Sequence, residues 1–177
     1  FGGRAVAFAG VSGAGKTSLA AACQRAGFRV LSDDIAAIDL EAGRRVDAGY
    51  PFIKIELQTA ARFGCDPADL GLLHNGEPDK RSWRLPGFSS GSEVLGAVFL
   101  IEKGDDDAID RLPQGEALIH LLPHVFPTRL VLPGDAKQLA QLGRLVKETP
   151  VYRFRRRPGL EHLMAHIERI EKTLAAG

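Results

Sequence analysis

A chain of 177 residues is long enough for one compact domain and short for two. Apolar residues make up 45% of it and charged residues 25%, and a net charge of +1 excludes a general electrostatic attraction to nucleic acid. No apolar stretch approaches the roughly 20 residues that cross a bilayer. We therefore expect a single domain over residues 1–177, with no membrane and no nucleic-acid partner.

The two cysteines, Cys23 and Cys65, are far apart and match no metal-binding spacing. They fit a reducing compartment, so the expected location is the cytoplasm. The chain begins at Phe1 without a methionine, and we expect an upstream segment to precede it in the protein.

The first predicted elements are a strand, a helix and a second strand. Arg4–Ala9 is a short apolar run, and the residues after Lys16 place apolar side chains on one helical face. Gly27 follows where a helix commonly ends. Phe28–Leu31 then has the composition of a buried strand, which would end in Ser32–Asp34.

A hairpin follows, and it determines the predicted fold class. Ile35–Leu40 and Arg44–Val46 are separated by a turn that contains Gly43. Antiparallel strands of this kind would join a sheet that otherwise contains parallel strands. We therefore predict an α/β fold, with a mixed β-sheet flanked by helices.

The remaining elements are predicted from periodicity and from glycine and proline. Pro51–Ile55 is predicted to be extended, Leu57–Phe63 to be a helix that stops at Gly64, and the Gly/Pro-rich residues 65–82 to be a long loop. The later predicted elements are the core strand Val94–Ile101, helices near Gly115–Leu122, Asp135–Lys147 and Leu160–Ala175, and the strand Val151–Arg155.

The segment between the first strand and the first helix matches the Walker A pattern in full. Its glycines allow backbone N–H groups to point at phosphate oxygens, at the positive end of a helix dipole. Lys16 would contact the β- and γ-phosphates, and the Thr17 hydroxyl would bind magnesium. The pattern therefore predicts a P-loop NTPase-like protein that binds ATP and Mg²⁺. The predicted nucleotide-binding residues are Gly10, Ser12, Gly13, Ala14, Gly15, Lys16, Thr17 and Ser18.

Asp33 and Asp34 are the predicted acidic partners of this loop. A strand that returns beside the first strand would bring its carboxyl end to the nucleotide. One carboxylate could then face the metal, and the other could accept the proton of an attacking hydroxyl. The alternative is a turn or capping role for an Asp pair.

These residues together resemble the C-terminal catalytic domain of the HPr kinase/phosphorylase family. The resemblance is carried by Gly10–Thr17 and by Leu31–Asp34 at this spacing. Ala48–Pro51 is similar to the family's small-residue and proline segment, and Pro150–Gly159 to its closing strand and arginine-proline-glycine turn. The resemblance implies the P-loop architecture that this family shares with phosphoenolpyruvate carboxykinases.

The resemblance also implies roles for particular residues. Asp33 would be the catalytic base, and Asp34 would lie near the metal together with Thr17. Lys80 and Arg81 would neutralise the transferring phosphoryl group, with Arg81 preferred for its bidentate geometry. The alternative for Lys80 and Arg81 is that they begin a strand and face solvent.

Two departures limit the resemblance. The family has a histidine in the strand before the P-loop strand, and this chain begins too late to show that position. Ile55–Ala60 contains no glycine where the family has a Gly-rich signature, although Glu56 could occupy the place of its glutamate. The resemblance therefore does not extend to HPr as the substrate or to phosphorylase activity. The reduced pattern is more similar to the short HPr-kinase-like proteins of peptide tailoring, including lasso-peptide maturation, which phosphorylate a serine of a precursor peptide.

The charge runs and a histidine pair favour ordinary structural roles. The acidic run Asp105–Asp107 and the basic run Arg153–Arg157 are predicted to be solvated surface. His162 and His166 have the i, i+4 spacing of zinc ligands, but no third ligand is evident, and a helix surface is the expected location.

The leading hypothesis is an ATP-dependent kinase whose partner is a protein or peptide that bears a serine. A small-molecule kinase and a non-catalytic, ATP-responsive binding module are the alternatives. Members of the HPr kinase/phosphorylase family, which this chain resembles, assemble into rings, so a homo-oligomer is possible.

Overall fold

A computed structural model describes residues 1–73, 78–85, 88, 90–125 and 136–176. In chain order the helices and strands are β1 (Ala5–Ala9), α1 (Lys16–Arg25), β2 (Ile38–Asp39), β3 (Arg45–Asp47), β4 (Phe52–Glu56), α2 (Leu57–Arg62), β5 (Leu70–Leu72), β6 (Lys80–Arg84), β7 (Ser92–Lys103), β8 (Ala108–Arg111), α3 (Gln114–Leu121), α4 (Ala136–Glu148), β9 (Val151–Arg156) and α5 (Leu163–Ala176). Short 3-10 turns cover Pro67–Asp69, Leu122–His124 and Leu160–His162.

The main sheet has six strands and is mixed. Its order is β2-β3-β7-β9-β8, and β1 also pairs with β7. β1 and β9 run parallel to β7, whereas β3 runs antiparallel to β7, and β8 runs antiparallel to β9. The predicted mixed α/β architecture is therefore confirmed.

Helices cover both faces of this sheet because its central strand is apolar on both sides. Phe99 and Ile101 of β7 pack in a cluster with residues of α1 and α5, whereas Val98 and Leu100 pack in a cluster with residues of α3 and α4. Burial on both faces is typical of strands that have parallel neighbours.

A smaller antiparallel sheet lies beside α1. It has the order β4-β6-β5, and it buries Ile53, Ile55 and Trp83 in a cluster with Ala21 of α1. In β4 the two isoleucines alternate with exposed residues, of which Lys54 is the central one. This is the period-2 pattern of a half-buried strand.

The parallel strands place their carboxyl ends at one edge of the main sheet. β1 is followed there by the segment Gly10–Thr17, which we call the glycine-rich loop, β7 by residues 104–107, and β9 by Arg157. Ligands of open α/β sheets usually bind at this edge.

Several sequence predictions are confirmed. The hairpin forms as β2 and β3, with Gly43 and Arg44 at positive φ in its turn. β4 and β7 coincide with predicted strands, and α2 ends before Gly64, whose φ is 61°. The predicted start of the fourth helix at Asp135 lies outside the described residues.

The strand predicted at Phe28–Leu31 is wrong. This segment forms no strand; Val30 is buried in the cluster of the small sheet, and the Gly49 N–H donates to the Leu31 carbonyl. This apolar run is therefore a connection whose residues pack in different clusters, Val30 with the small sheet and Phe28 and Leu31 with the two faces of the main sheet. Asp33 thus does not lie at the end of a main-sheet strand.

Two other predicted boundaries are also wrong. The predicted loop 65–82 contains a 3-10 turn, β5 and the start of β6, although its residues 74–77 lie outside the described part. The last helix begins at Leu163, after a 3-10 turn, and β8 corresponds to no predicted strand.

Within the described ranges, no helix is both long enough and apolar enough to cross a membrane.

Candidate functional site

The glycine-rich loop is a compact turn between β1 and α1. Gly10, Gly13 and Gly15 have φ values of 152°, 77° and 90°, a range that L side chains rarely adopt. A Cβ on Gly10 would lie 2.7 Å from the Ile101 carbonyl oxygen, so the loop starts in close contact with β7. Gly15 is the N-cap of α1, and the first turn of that helix has no acidic residue. The loop therefore presents a helix N-terminus that favours an anion.

Lys16 folds back over this loop. Its Nζ donates to the carbonyl oxygens of Gly10 and Val11, at 2.9 and 3.0 Å. The ammonium group is thus held beside the loop, within reach of an anion that the loop binds. Of the other predicted binding residues, Ser12 is exposed, Ser18 is half-buried and Ala14 is buried.

Asp33 lies against the end of the loop. The Thr17 hydroxyl donates to Asp33 Oδ1 at 3.1 Å, and the Lys54 backbone N–H donates to Asp33 Oδ2 at 2.9 Å. Burial raises the pKa of Asp33, and the nearby Asp34 carboxylate raises it further, whereas the two hydrogen bonds act in the opposite direction. This carboxyl group is therefore fixed in position and binds a proton more readily than an ordinary aspartate does.

Asp34 is held differently. Its Oδ2 lies 2.6 Å from Lys54 Nζ, in an ion pair whose side chains are 59% and 44% exposed. The family resemblance implies that Asp34 lies near the metal together with Thr17, but the carboxylate that contacts the Thr17 hydroxyl belongs to Asp33. Lys54, which contacts both aspartates, is not among the predicted site residues. Its place on the outward face of an alternating strand is the one sequence signal for it.

Lys80 and Arg81 begin β6, as one of the two alternatives states, and both are half-buried. Arg81 pairs with Ile55 of β4, one residue beyond Lys54. Its guanidinium donates to the carbonyl oxygens of Pro78 and Lys80 at 2.7 and 2.8 Å. These two residues therefore belong to the same small sheet as Lys54.

Arg156 lies beneath the loop and is not among the predicted site residues. It is 4% exposed, and its Nη2 donates to the Ala14 carbonyl oxygen at 2.9 Å. Desolvation by burial lowers its pKa. The predicted solvation of the basic run is wrong at this position, because Arg156 shares a buried face of β9 with Tyr152 and Phe154.

Asp107 and His166 form a buried polar cluster near this arginine. The Asp107 side chain is 3% exposed; it accepts from the Arg157 backbone and guanidinium, and its Oδ1 lies 2.9 Å from His166 Nε2. The predictions of a solvated acidic run and of a helix-surface histidine are wrong at these two positions. Desolvation lowers the pKa of His166, which favours the neutral ring. Because the Asp107 carboxylate can only accept, the ring proton is on Nε2.

The chemistry of the site fits a hard cation. Thr17, Asp33 and Asp34 supply hydroxyl and carboxylate oxygens, the ligand types that Mg²⁺ prefers. Among the described residues, no three His, Cys, Asp or Glu side chains gather into a metal-binding group. Magnesium that enters with a nucleotide takes most of its ligands from phosphate and water, so such a site does not require three protein carboxylates.

A cleft of about 230 Å³ lies elsewhere, at the end of the main sheet where β9 begins. It is lined by residues 111–114, by Ala117 and by residues 146–151. Because β9 runs from this cleft toward the glycine-rich loop, the cleft and the loop are at opposite edges of the sheet.

Comparison of the chain with protein-family models, with curated proteins and with solved structures found no match.

Proposed function

We propose that the protein transfers the γ-phosphoryl group of ATP to a serine hydroxyl of a protein or precursor peptide. The single observation that carries the proposal is the contact between Thr17 and Asp33, which joins an anion-favouring loop to a carboxyl group of raised pKa. The full Walker A pattern of Gly10–Thr17 supports ATP as the donor and a P-loop NTPase-like fold.

In this proposal the loop binds the triphosphate. The N–H groups at the start of α1 donate to the phosphate oxygens, and Lys16 exchanges its two carbonyl partners for the outer phosphates. The Thr17 hydroxyl gives its hydrogen to Asp33, so its lone pairs are available to a cation. Asp34 would be the second protein ligand, once Lys54 releases it. Magnesium, when bound, would neutralise charge that develops on the phosphates.

Asp33 would act as the proton acceptor. The serine oxygen forms a bond to the γ-phosphorus, the bond from that phosphorus to the bridging oxygen breaks and leaves ADP, and the hydroxyl proton passes to the Asp33 carboxylate. A raised pKa makes this carboxylate a better base than an ordinary aspartate, provided that it is ionised when the substrate binds. Lys54 and Lys80 lie on the same face of the small sheet and are the cations that would stabilise the transferred group, whereas Arg81 pairs with Ile55 and lies on the opposite, buried face.

The test is a transfer assay with γ-labelled ATP and magnesium. The acceptors are synthetic peptides with one serine each, the same peptides with alanine in its place, and a panel of hydroxyl-bearing metabolites. We expect label in serine peptides only. Label in a metabolite would instead support a small-molecule kinase, and ATP binding without transfer to any hydroxyl would support a binding module.

The variant Asp33→Asn tests the role of the base. We expect transfer to fall by about 10²–10⁴-fold, the usual contribution of a general base, while ATP affinity measured by calorimetry stays nearly unchanged. Asp47→Asn is the matched control, because Asp47 is an exposed aspartate at the end of β3. Full transfer activity in Asp33→Asn would remove Asp33 from the mechanism.

A further inference from the structure

We propose that Arg156 is a positioning residue, which orients and polarises the Gly15 amide of the glycine-rich loop for binding of a polyphosphate anion. The inference rests on the proposed function, because it takes the loop to be an anion site. Arg156 reaches the loop from β9, on the far side from any bound anion, and would not touch the anion itself.

The first step is the contact with the loop backbone. Arg156 Nη2 donates to the Ala14 carbonyl oxygen at 2.9 Å, in a buried hydrogen bond. That carbonyl belongs to the same peptide unit as the Gly15 N–H, and the chain has no cis peptide bond among its described residues. In a trans peptide unit the C=O and the N–H point in opposite directions. The Gly15 N–H is therefore directed away from Arg156.

The second step is electrostatic. A cation at the carbonyl oxygen draws electron density toward that oxygen, so the N–H of the same peptide unit becomes a stronger donor. Burial strengthens this polarisation, because the local dielectric is lower than that of water. Arg156 thus makes the Gly15 N–H a stronger hydrogen-bond donor, because it binds the carbonyl oxygen of the same peptide unit.

The third step is the shape of the contact. A Cβ on Gly15 would overlap the Arg156 Nη2 atom. Gly15 is thus required for two reasons, its positive φ of 90° and the guanidinium that occupies the space of a side chain. The last glycine of the loop and an arginine on another strand form one packed unit.

The fourth step is the charge of Arg156 itself. Its Nη1 lies 3.5 Å from the Arg157 carbonyl oxygen, and its Nε has no hydrogen-bond partner within the described part of the chain. Asp107, the carboxylate that attracts this guanidinium, is already held by Arg157 and His166. A buried cation that lacks a carboxylate of its own is costly to maintain. An anion on the opposite side of the loop would supply the missing negative charge.

The test measures the affinity of the protein for inorganic tripolyphosphate without magnesium, by calorimetry. We expect Arg156→Gln to bind at least about tenfold more weakly than wild type, since a charged hydrogen bond to the loop is lost. Arg156→Lys should be intermediate, because it keeps the charge and loses the planar fork. Arg155→Gln is the matched control, since Arg155 is 44% exposed on the other face of β9, and its affinity should stay within about twofold.

Two outcomes separate this inference from the proposed function. Wild-type protein that does not bind tripolyphosphate would overturn this inference, whereas the proposed function would be overturned only by a failure of the transfer assay with magnesium-ATP. Wild-type protein that binds, with a folded Arg156→Gln variant of equal affinity, would overturn only the role of Arg156. Folding is checked by the thermal unfolding midpoint of each variant.

A measurement on the wild-type protein covers the case in which Arg156→Gln does not fold. In ¹⁵N-labelled protein, saturation with tripolyphosphate should shift the Nε resonance of Arg156 and the amide of Gly15, and should leave the Nε resonance of Arg155 in place. Loop amides that shift while Arg156 Nε stays unchanged would overturn the inference.

Discussion

Two aspartates, Asp107 and Asp33, lie at the same edge of the molecule as the glycine-rich loop, yet their pKa values are shifted in opposite directions. Burial alone would raise the pKa of Asp107, but hydrogen bonds from Arg157 and His166 outweigh it and hold this pKa well below the usual range. At Asp33 burial prevails and raises the pKa, because its partners are a hydroxyl and a backbone N–H, and Asp34 adds a like charge.

The difference distinguishes an aspartate that stabilises the fold, Asp107, from one whose environment suits proton transfer, Asp33. Asp107 is charged at all ordinary pH values and fixes the end of β9 through the Arg157 backbone. Asp33 is held by neutral donors next to an exposed ion pair that can rearrange. A carboxyl group that must gain and lose a proton belongs in the second kind of environment.

The largest expected effect on stability comes from removing the buried charge. Asp107→Asn should lower the free energy of unfolding by about 1.5–3 kcal/mol, because the Arg157 backbone N–H and the His166 ring lose a buried, charged acceptor. Urea denaturation measures this change in the free energy of unfolding. Asp110→Asn is the control; that exposed aspartate lies 3.4 Å from Arg155, and its loss should cost less than about 1 kcal/mol. Equal, small losses in both variants would mean that Asp107 does not support the fold.

In the same urea denaturation, Asp33→Asn should not lower the free energy of unfolding as Asp107→Asn does. Its carboxylate is disfavoured by burial, so a neutral amide of the same shape should leave the free energy of unfolding within about 1 kcal/mol of wild type, or raise it. A loss as large as that of Asp107→Asn would make Asp33 a structural aspartate.

The pH dependence of stability sharpens the same comparison. The folded-state pKa of Asp107 is depressed, so its contribution is present above the unfolded value of about 3.9 and is lost as the pH falls from there through the folded value. The folded-state pKa of Asp33 is raised, so its ionisation opposes folding as the pH rises above the unfolded value.

Unfolding midpoints measured across acidic pH test both shifts. As the pH falls, the greater stability of wild type relative to Asp107→Asn should disappear. Over the same range, wild type should become more stable relative to Asp33→Asn. Parallel curves for all three proteins would contradict both shifts.

The smallest expected effect is that of the exposed ion pair. Lys54→Gln should change the free energy of unfolding by less than about 1 kcal/mol, because both side chains of the Lys54–Asp34 pair are substantially exposed. The same variant should bind magnesium-ATP with a lower requirement for magnesium, since a competing cation leaves Asp34. An unchanged magnesium requirement would show that Lys54 does not compete for this carboxylate.

Local patterns predict the loop, whereas the contacts around it depend on the whole fold. Gly10–Thr17 can be read from the sequence because its glycines, lysine and threonine lie in one short segment. The sequence predicts Asp33 through a strand that does not form; its position depends instead on the Thr17 hydroxyl and on the Lys54 N–H of the small sheet. That sheet is assembled from segments far apart in sequence, which composition cannot pair.

The sequence contains a signal for the burial of Arg156 but none for the burial of Asp107. Tyr152, Phe154 and Arg156 recur with period 2, which places Arg156 on the buried face of its strand. Asp107 offers no such signal, because it ends an acidic run in a turn, and its partners Arg157 and His166 lie 50 and 59 residues away. Burial of a charge depends on partners brought together by folding.

The most direct test of the central claim is a crystal structure of the protein with magnesium and a non-hydrolysable ATP analogue. We expect the phosphates in the glycine-rich loop, with a carboxylate oxygen of Asp33 or Asp34 within about 5 Å of the γ-phosphorus, close enough to act on an attacking hydroxyl. A nucleotide bound elsewhere, or a γ-phosphate remote from both aspartates, would contradict the proposed phosphoryl transfer.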